Sequence, residues 1–346
     1  MKFNGIPTTL GSLPCKSASE AVKLQLKYTP ELPAWPQLSK HSFKENMYVQ
    51  YSENFPGIII DEKEERIFVD TQKAFNSLEI FYEHYLSSDW DYFSISEEYA
   101  AGFHCLMSEL KVNNSGLIAI KGQITGPLTY GLTVKDEKGQ AIFYNEQLKD
   151  VVLKHIVSKS LWQIKQISNL KFEIPIILSL DEPYLAAYGS AFTALSKEDV
   201  INSLSEVIKG IKNSTDNVLI GVHCCANTDW SVLIDSGADV LSFDAYSFFD
   251  SLLLYKEKLK YFIDKGGILA YGIIPTNEEQ ISKEKPLTLS TKLRTDISKL
   301  SAKGIDKIKL YNQMIITPAC GLGSLSEETA VRALDLLSNT SRIFDK

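Results

Sequence analysis

The chain has 346 residues, 44% of them hydrophobic and 23% charged, which is enough apolar material for a large buried core. Its net charge of −7 and pI near 5.4 argue against nucleic-acid binding, because proteins that bind nucleic acids usually present a basic face. The sequence shows no apolar run of about 18 residues, no apolar signal core and an odd count of five cysteines, so it predicts a cytoplasmic protein without membrane association or a disulfide framework.

Short apolar runs alternate with amphipathic stretches along the chain, a pattern that predicts parallel strands joined by crossover helices. The runs are wholly apolar rather than alternating, which favours a sheet covered on both faces. Helices are predicted at 145–167, 196–213 and 326–340, the second with Ser196 as its N-cap. The candidate strands are, in chain order, 7–12, 56–61, 116–122, 174–180, 217–223, 238–244, 267–273 and 313–320.

Eight parallel strands predict an α/β fold of the (β/α)8 TIM barrel type, with a doubly wound open sheet as the alternative. Such barrels commonly form one domain of ~250 residues or more, so we expect a single domain over 1–346. The beginning of the chain is less regular, and 31–51 is rich in proline and aromatic residues. We therefore expect 1–55 to be partly an irregular N-terminal extension that packs over one end of the barrel.

Polar side chains follow several of the apolar runs at the point where each predicted strand ends. One strand ends in His223, Cys224 and Cys225. A later strand ends in Asp244, and the last ends in Cys320. In a (β/α)8 barrel these strand ends converge at the carboxyl face, where such enzymes place their active sites. Because side chains alternate along extended backbone, His223 and Cys225 face one point while Cys224 turns into the packing.

A nitrogen from His223 and sulfurs from Cys225 and Cys320 form a ligand set that suits zinc. Three protein ligands with a free fourth position are typical of a catalytic zinc. Asp244 adds either an oxygen ligand or a hydrogen-bonding partner for His223. The alternative is that these cysteines are inert and buried, since cysteine is among the most buried residue types. The combination of residues at neighbouring strand ends favours the zinc site.

Two further motifs lie at the same predicted face. Asp181 and Glu182 end a strand, and adjacent strand residues point in opposite directions, so one is expected to face the site and the other to brace it. The acid that faces the site can hold a substrate amine, or the pair is simply a solvated strand end. The turn TTLGSLP (8–14) offers backbone N–H groups to a carboxylate, or is only a tight turn.

Over nearly its whole length the sequence resembles the catalytic half of cobalamin-independent methionine synthase. The His-x-Cys of HCC together with a distal Cys-Gly-Leu is the specific part of this resemblance. The other similar segments are TTLGSLP, ITGPLTY (124–130), LSLDEPYL, ADVLSFDA and TPACGLG. The chain also resembles the methylcobalamin:coenzyme M methyltransferases and the uroporphyrinogen decarboxylases of the same barrel superfamily.

The resemblance implies a zinc-dependent methyltransferase that converts homocysteine to methionine. It implies zinc ligands at His223, Cys225 and Cys320. Asp244 stands where methionine synthases have a glutamate ligand, one methylene longer. No catalytic side chain is implied beyond the thiol that zinc activates.

For the substrate, the resemblance implies that Asp181 holds the homocysteine amino group, with Glu45 as a further candidate. Gly11 and Ser12 would contact its carboxylate. Methionine synthases that use folate carry an additional N-terminal barrel, and this sequence resembles only the catalytic one. We therefore expect a methyl-corrinoid donor, either methylcobalamin or a corrinoid protein, with folate as the alternative.

Three other functions stay open. The first is methylation of coenzyme M or another thiol; coenzyme M has no amine, so Asp181 would lack its purpose. The second is a uroporphyrinogen decarboxylase, which needs arginines near the start of the chain for bidentate recognition of carboxylates. Only four arginines occur, and none lies in the first 65 residues. The third is a non-catalytic partner of a corrinoid protein.

Overall fold

A computed structural model of the protein describes residues 2–189 and 194–344. The strands are β1 (Ile6–Pro7), β2 (Ile58–Asp61), β3 (Arg66–Val69), β4 (Ile120–Thr125), β5 (Lys135–Asp136), β6 (Ile176–Asp181), β7 (Val218–Cys224), β8 (Val240–Phe243), β9 (Ile268–Ile274) and β10 (Met314–Pro318). The helices are α1 (Ala18–Tyr28), α2 (Thr71–Asn76), α3 (Leu78–Leu86), α4 (Ala101–Leu110), α5 (Pro127–Thr133), α6 (Glu146–Ser168), α7 (Lys197–Lys212), α8 (Trp230–Asp235), α9 (Ala245–Leu252), α10 (Lys256–Asp264), α11 (Glu278–Lys283), α12 (Pro286–Ala302), α13 (Lys307–Asn312) and α14 (Glu327–Phe344). None of the helices in these two ranges is both long and apolar enough to cross a membrane.

The three helices predicted from sequence are α6, α7 and α14. Ser196 caps α7 as predicted: its hydroxyl accepts the Asp199 N–H, and the Asp199 carboxylate accepts the Ser196 N–H in return. This reciprocal pair is a capping box, which satisfies backbone donors that the first helical turn leaves free.

Seven strands form one parallel sheet in the order β1-β10-β9-β8-β7-β6-β4. The pairing is in register across its centre, where Asp181 lies beside His223, and His223 lies beside Ser242. Every second residue of these strands points to the inside of the curled sheet. The register therefore decides which side chains meet at the carboxyl ends.

An extended stretch at 33–37, the closing segment, joins the two edges of the curled sheet. On one side the Trp35 N–H donates to the carbonyl of Lys121 in β4 at 3.3 Å. On the other side the Gln37 N–H donates to the carbonyl of Gly11, just beyond β1, at 3.1 Å. The closing segment takes the place of the second barrel strand, and the architecture is the predicted (β/α)8 TIM barrel.

The predicted barrel strand at 56–61 forms, but it lies outside the barrel. It becomes β2, which pairs antiparallel with β3 in a separate sheet completed by β5. The assignment of this strand to the barrel was therefore wrong. The closing segment was not predicted as a strand. Pro33 and Pro36 donate no backbone hydrogen bond, and the segment therefore forms isolated bridges instead of a regular strand.

The barrel interior is filled by layers of side chains. The lowest layer is apolar and includes Ala119, Ile177, Val240, Ile268 and Ile315. The next layer, toward the carboxyl ends, surrounds a cavity of about 20 Å³ and carries small or polar side chains, among them Thr8, Lys121, Ser179, Ser242 and Thr317. The residues that follow these in the strands form the candidate site.

The closing segment packs tightly on α4, and this contact gives a test of the barrel closure. A Cβ added at Gly102 would lie 2.0 Å from the Pro36 carbonyl oxygen. We expect Gly102→Ala to lower the free energy of unfolding by about 1–3 kcal/mol through overpacking, measured by urea denaturation. Helix propensity alone predicts the opposite sign, a gain of about 1 kcal/mol. A stabilised variant would therefore contradict the closure, and Ser108→Ala on the exposed face of α4 is the control.

Candidate functional site

Three of the predicted ligands come together at the carboxyl end of the barrel. The ligand atoms of His223, Cys225 and Cys320 all lie within 4.8 Å of one another. His223 belongs to β7, Cys225 follows directly after it, and Cys320 follows β10. Because β8 and β9 separate β7 from β10 in the sheet, only the curvature of the sheet can bring these residues together. We call them the His–Cys–Cys cluster.

The ring of His223 is held by the neighbouring strand. Its Nδ1 lies 2.9 Å from the Ser242 hydroxyl oxygen, and its Nε2 is buried without a hydrogen-bond partner among the described residues. Ring nitrogens buried in this way are normally satisfied, because losing the hydrogen bond to water costs free energy. When Nδ1 donates to Ser242, Nε2 carries a lone pair. That tautomer fits a metal ligand.

The two sulfur atoms of the cluster differ in charge. The Cys320 thiol beside its sulfur, together with the nearby imidazole of His223, lowers the pKa of Cys225 to about 4. The hydrogen bond to the Cys225 thiolate, together with burial, raises the pKa of Cys320. Thiolate is the form of cysteine that binds metals. Cys224 is 0% exposed and packs in the hydrophobic core, as the strand alternation predicted.

Asp244 does not join the cluster. Its carboxylate accepts the Ser247 N–H at 2.8 Å and so caps α9. Asp244 was predicted as a hydrogen-bonding partner of His223, but Ser242 occupies that position. Ser242 is in register with His223, whereas Asp244 lies beyond the end of β8. Direct coordination by Asp244 stays a prediction.

Asp181 and Glu182 point to different sides, as expected. Glu182 accepts the N–H groups of Leu128 and Thr129 at the start of α5, at 2.9 and 2.7 Å, and braces the strand end. Asp181 faces the site and accepts a hydrogen bond from Ser179 at 2.8 Å. Burial raises the pKa of the Asp181 carboxyl, and the nearby positive charge of Lys121 opposes this effect.

A cavity of about 350 Å³ opens beside the His–Cys–Cys cluster, a size that suits a small-molecule ligand. Of the predicted substrate residues, Ser12, Glu45 and Asp181 line this cavity together with the cluster. Among the described residues that line it there is no arginine or lysine. The cavity therefore presents carboxylate, sulfur and neutral polar groups.

Glu45 comes from the irregular part of the chain and is only 1% exposed. Its carboxylate accepts the N–H of Leu38 at 3.0 Å and the N–H of Ala101 at 3.3 Å. It forms no ion pair among the described residues. Burial raises the pKa of Glu45 to about 7, and the hydrogen bonds from Leu38 and Ala101 together with the charge of His41 offset only part of this effect.

Gly11 and Ser12 form the turn that was predicted to hold a carboxylate. Gly11 has φ +116°, and a Cβ there would lie 2.6 Å from the Gln123 side chain, so this position requires glycine. Gly11 itself does not line the cavity, whereas Ser12 does. The Ser12 carbonyl accepts the Leu322 N–H at 3.0 Å, which ties the turn to the loop that carries Cys320.

Two residues of this region, Lys121 and Ser242, were not predicted from the sequence. Lys121 is 5% exposed and lies inside the barrel, below the cluster. A signal existed in the sequence, since Lys121 is the one charged residue in the otherwise apolar run 116–122. Ser242 gave no such signal, because serine is common on strands for other reasons.

No protein-family model and no curated protein matches the chain. Its fold is similar to the solved structure of a B12-independent methionine synthase from Shewanella sp. W3-18-1 in complex with selenomethionine, with a TM-score of 0.57 and 14% sequence identity. The similarity covers 98% of this chain and 97% of the other. It supports the barrel over the doubly wound sheet, and at this identity it bears on the fold alone.

The buried carboxyl of Glu45 predicts a pH dependence of stability. Because its pKa is raised from 4.5 to about 7 by burial, the folded protein binds a proton that the unfolded chain releases, and this stabilisation is lost as the pH rises through that range. Glu45→Gln removes the titration. Its free energy of unfolding should rise relative to the native protein by about 1–3 kcal/mol between about pH 5 and pH 8.

Urea denaturation at a series of pH values measures this difference, with Glu79→Gln on the exposed face of α3 as the control. A difference between the Glu45→Gln variant and the native protein that stays constant with pH would contradict the assignment.

Proposed function

We propose that the protein is a zinc-dependent thiol S-methyltransferase that methylates homocysteine to methionine, with a methyl-corrinoid as the methyl donor. The observation that carries this proposal is the convergence of His223, Cys225 and Cys320 beside a cavity that contains two carboxyl groups. The fold of a B12-independent methionine synthase, found at low identity, supports it further.

The residues present fit zinc. The buried, unpartnered Nε2 of His223 and the low pKa of Cys225 supply the neutral imidazole and the thiolate that zinc prefers. Three protein ligands leave one position of a tetrahedral ion for a substrate. Bound zinc would lower the pKa of a substrate thiol, which is only partly ionised at neutral pH when free.

The cavity offers the groups that an amino acid substrate needs. Asp181 and Glu45 can accept hydrogen bonds from an ammonium group. The substrate carboxylate has no cation to pair with among the cavity residues, so the turn at Gly11 and Ser12 is proposed to hold it with neutral donors. These contacts orient the sulfur of the substrate toward the donor, which is how positioning lowers a reaction barrier.

In the proposed reaction the substrate thiol releases its proton to water and attacks the methyl carbon of the donor. A sulfur–carbon bond forms as the bond between carbon and cobalt breaks, and the electron pair of the broken bond stays on the corrinoid. No protein group has to protonate this leaving group. The task of the chain is to bind and align the thiol.

A folate donor is the alternative. Transfer from folate requires a proton at the leaving nitrogen, and Glu45, with a pKa of about 7, is the cavity residue suited to supply one. The similar solved structure is described as B12-independent, which also favours a donor other than a corrinoid for that protein. Both donors are therefore included in the assay.

The arrangement of arginines weighs against a decarboxylase for a substrate with many carboxylates. Arg294 and Arg332 donate to backbone carbonyls of the chain itself, and Arg66 stacks on the ring of Phe68. Arg342 lines a different cavity, at the opposite end of the barrel near Ile6. Methylation of coenzyme M is distinguished from methylation of homocysteine by the activity assays below.

Elemental analysis of the purified, reduced protein should find about one zinc per chain. Cys320→Ser should weaken zinc binding by at least ~10-fold, since it removes a thiolate ligand, while Cys105→Ser on α4 should retain zinc. Asp244→Asn should also retain zinc if Asp244 only caps α9, and should lose affinity if it is a ligand. Native protein without zinc would overturn the proposed function.

Methyl transfer is tested with donors that carry a deuterated methyl group, followed by mass spectrometry of the product. We expect labelled methionine from homocysteine and methylcobalamin. Asp181→Asn should lower kcat/KM by at least ~10-fold, because a hydrogen bond to a charged group contributes about 1.5–3 kcal/mol.

Asp335→Asn, on the exposed face of α14, is the control for Asp181→Asn. Activity with coenzyme M that Asp181→Asn leaves unchanged would support the other thiol as substrate. Transfer from methyltetrahydrofolate but not from methylcobalamin would show that the donor is a folate and not a corrinoid. No transfer from either donor to either thiol would contradict a methyltransferase.

A further inference from the structure

Lys121 is a buried cation that the proposed reaction does not use. It projects from β4 into the barrel, one layer below the His–Cys–Cys cluster, and is 5% exposed. Its ammonium group donates to the Leu10 carbonyl and to the Gln123 side-chain oxygen, both at 3.3 Å. It does not line the 350 Å³ cavity. A buried lysine is costly to the fold unless its ammonium group is hydrogen-bonded or paired with an opposite charge.

The partners of Lys121 belong to the wall of the substrate cavity. Leu10 lines both the 350 Å³ cavity and the 20 Å³ cavity below it, so it separates the two. Its carbonyl, held by Lys121, directly precedes the turn at Gly11 and Ser12. Gln123 occupies the space beside Gly11 in which no Cβ fits. Lys121 thus contacts the two groups that define the path of this turn.

The same unit is fixed from the other side. The Gln123 side-chain amide donates to the Trp35 carbonyl at 2.8 Å. The Tyr51 hydroxyl donates to the Gln123 carbonyl at 2.9 Å. Gln123 is thus immobilised by the closing segment and by Tyr51. The turn is bonded from above and from the side, at Gly11 by Gln37 and at Ser12 by Leu322, and the ammonium of Lys121 adds the bond from the barrel interior to the carbonyl of Leu10.

Charge supports this arrangement. Burial lowers the pKa of Lys121 to about 8, and the carboxylate of Asp181 opposes that effect. Among the described residues that line the lower cavity, Lys121 is the only charged one. The charge of Lys121 is therefore compensated by Asp181, which belongs to the layer above and lines the substrate cavity.

We propose that Lys121 is a positioning residue of the substrate site: from below, it holds the Leu10 carbonyl and the Gln123 side chain and so fixes the turn Leu10–Ser12 in the conformation that binds the substrate. Its ammonium group donates to neither a residue of the His–Cys–Cys cluster nor Ser242. The proposal rests on the proposed function for the identity of the ligand, a small amino thiol, but the placement of the turn can be measured without any ligand.

The test compares Lys121→Met with Lys159→Met. Methionine keeps the unbranched chain and removes the ammonium group. Lys159 is a matched control because it is also buried in the fold, at 0% exposure, and donates to the Ser94 carbonyl at 2.8 Å, on α6 outside the barrel interior. Lys121→Gln, which keeps N–H donors, is made in parallel in case the methionine variant does not fold.

The first readout is hydrogen exchange of the metal-free proteins, followed by mass spectrometry. Lys121→Met should speed exchange in the peptide covering residues 8–14 by at least ~10-fold, the effect of weakening local structure by about 1.4 kcal/mol, while Lys159→Met leaves that peptide unchanged. Unchanged exchange in Lys121→Met, or equal acceleration in both methionine variants, would overturn the positioning role.

The second readout is the absorption spectrum of the Co²⁺-substituted proteins during titration with homocysteine. Lys121→Met should show the native spectrum before homocysteine is added and a midpoint raised at least 10-fold, with a smaller rise in Lys121→Gln and none in Lys159→Met. A native midpoint in Lys121→Met would contradict the proposal. If the spectrum of the native protein does not change when homocysteine is added, the proposed function is contradicted. The exchange data would still decide the role of Lys121.

Discussion

The in-register parallel pairing of β6, β7 and β8 is the constraint on which the site depends. It places Asp181, His223 and Ser242 side by side on the inner face of the sheet. A shift of one residue in β7 would turn His223 outward and bring Cys224 inward, because strand side chains alternate between the two faces. The ring of His223 would then lose Ser242, and the cluster would lose its nitrogen.

Cys320 reaches the cluster by a different route. Ile315 and Thr317 of β10 line the barrel interior, so strict alternation would direct residue 319 inward and Cys320 outward. The pairing with β9 shifts register between Thr317 and Pro318, and the chain bends directly afterwards. Such irregularities change the direction of a side chain near a functional site. Gly272 permits the close approach, since a Cβ there would lie 2.9 Å from the Ala319 Cα.

These details explain which parts of the structure were predictable. The strands from β6 to β10 follow from their apolar runs, and the placing of His223 and Cys225 on one side follows from alternation. The closing segment could not be predicted as a barrel strand, because two prolines give it the composition of a loop. Glu45 showed no strand or helix pattern, since a short turn and not a regular element places it in the cavity. The position of Cys320 depends on a register shift that no periodicity reveals.

The charge of the barrel interior changes from layer to layer. The lowest layer is apolar, the next carries the cation Lys121, and the cavity above carries Asp181, Glu45 and the thiolate of Cys225. This order leaves the cavity with more negative than positive charge among its described residues. A ligand with an ammonium group, or a divalent cation at the sulfur atoms, compensates for that charge, whereas a polyanion increases it. The negative group of an amino acid then has to bind to neutral donors. The turn at Gly11 and Ser12 is proposed to supply them, which makes its conformation as important to the proposed site as the cluster itself.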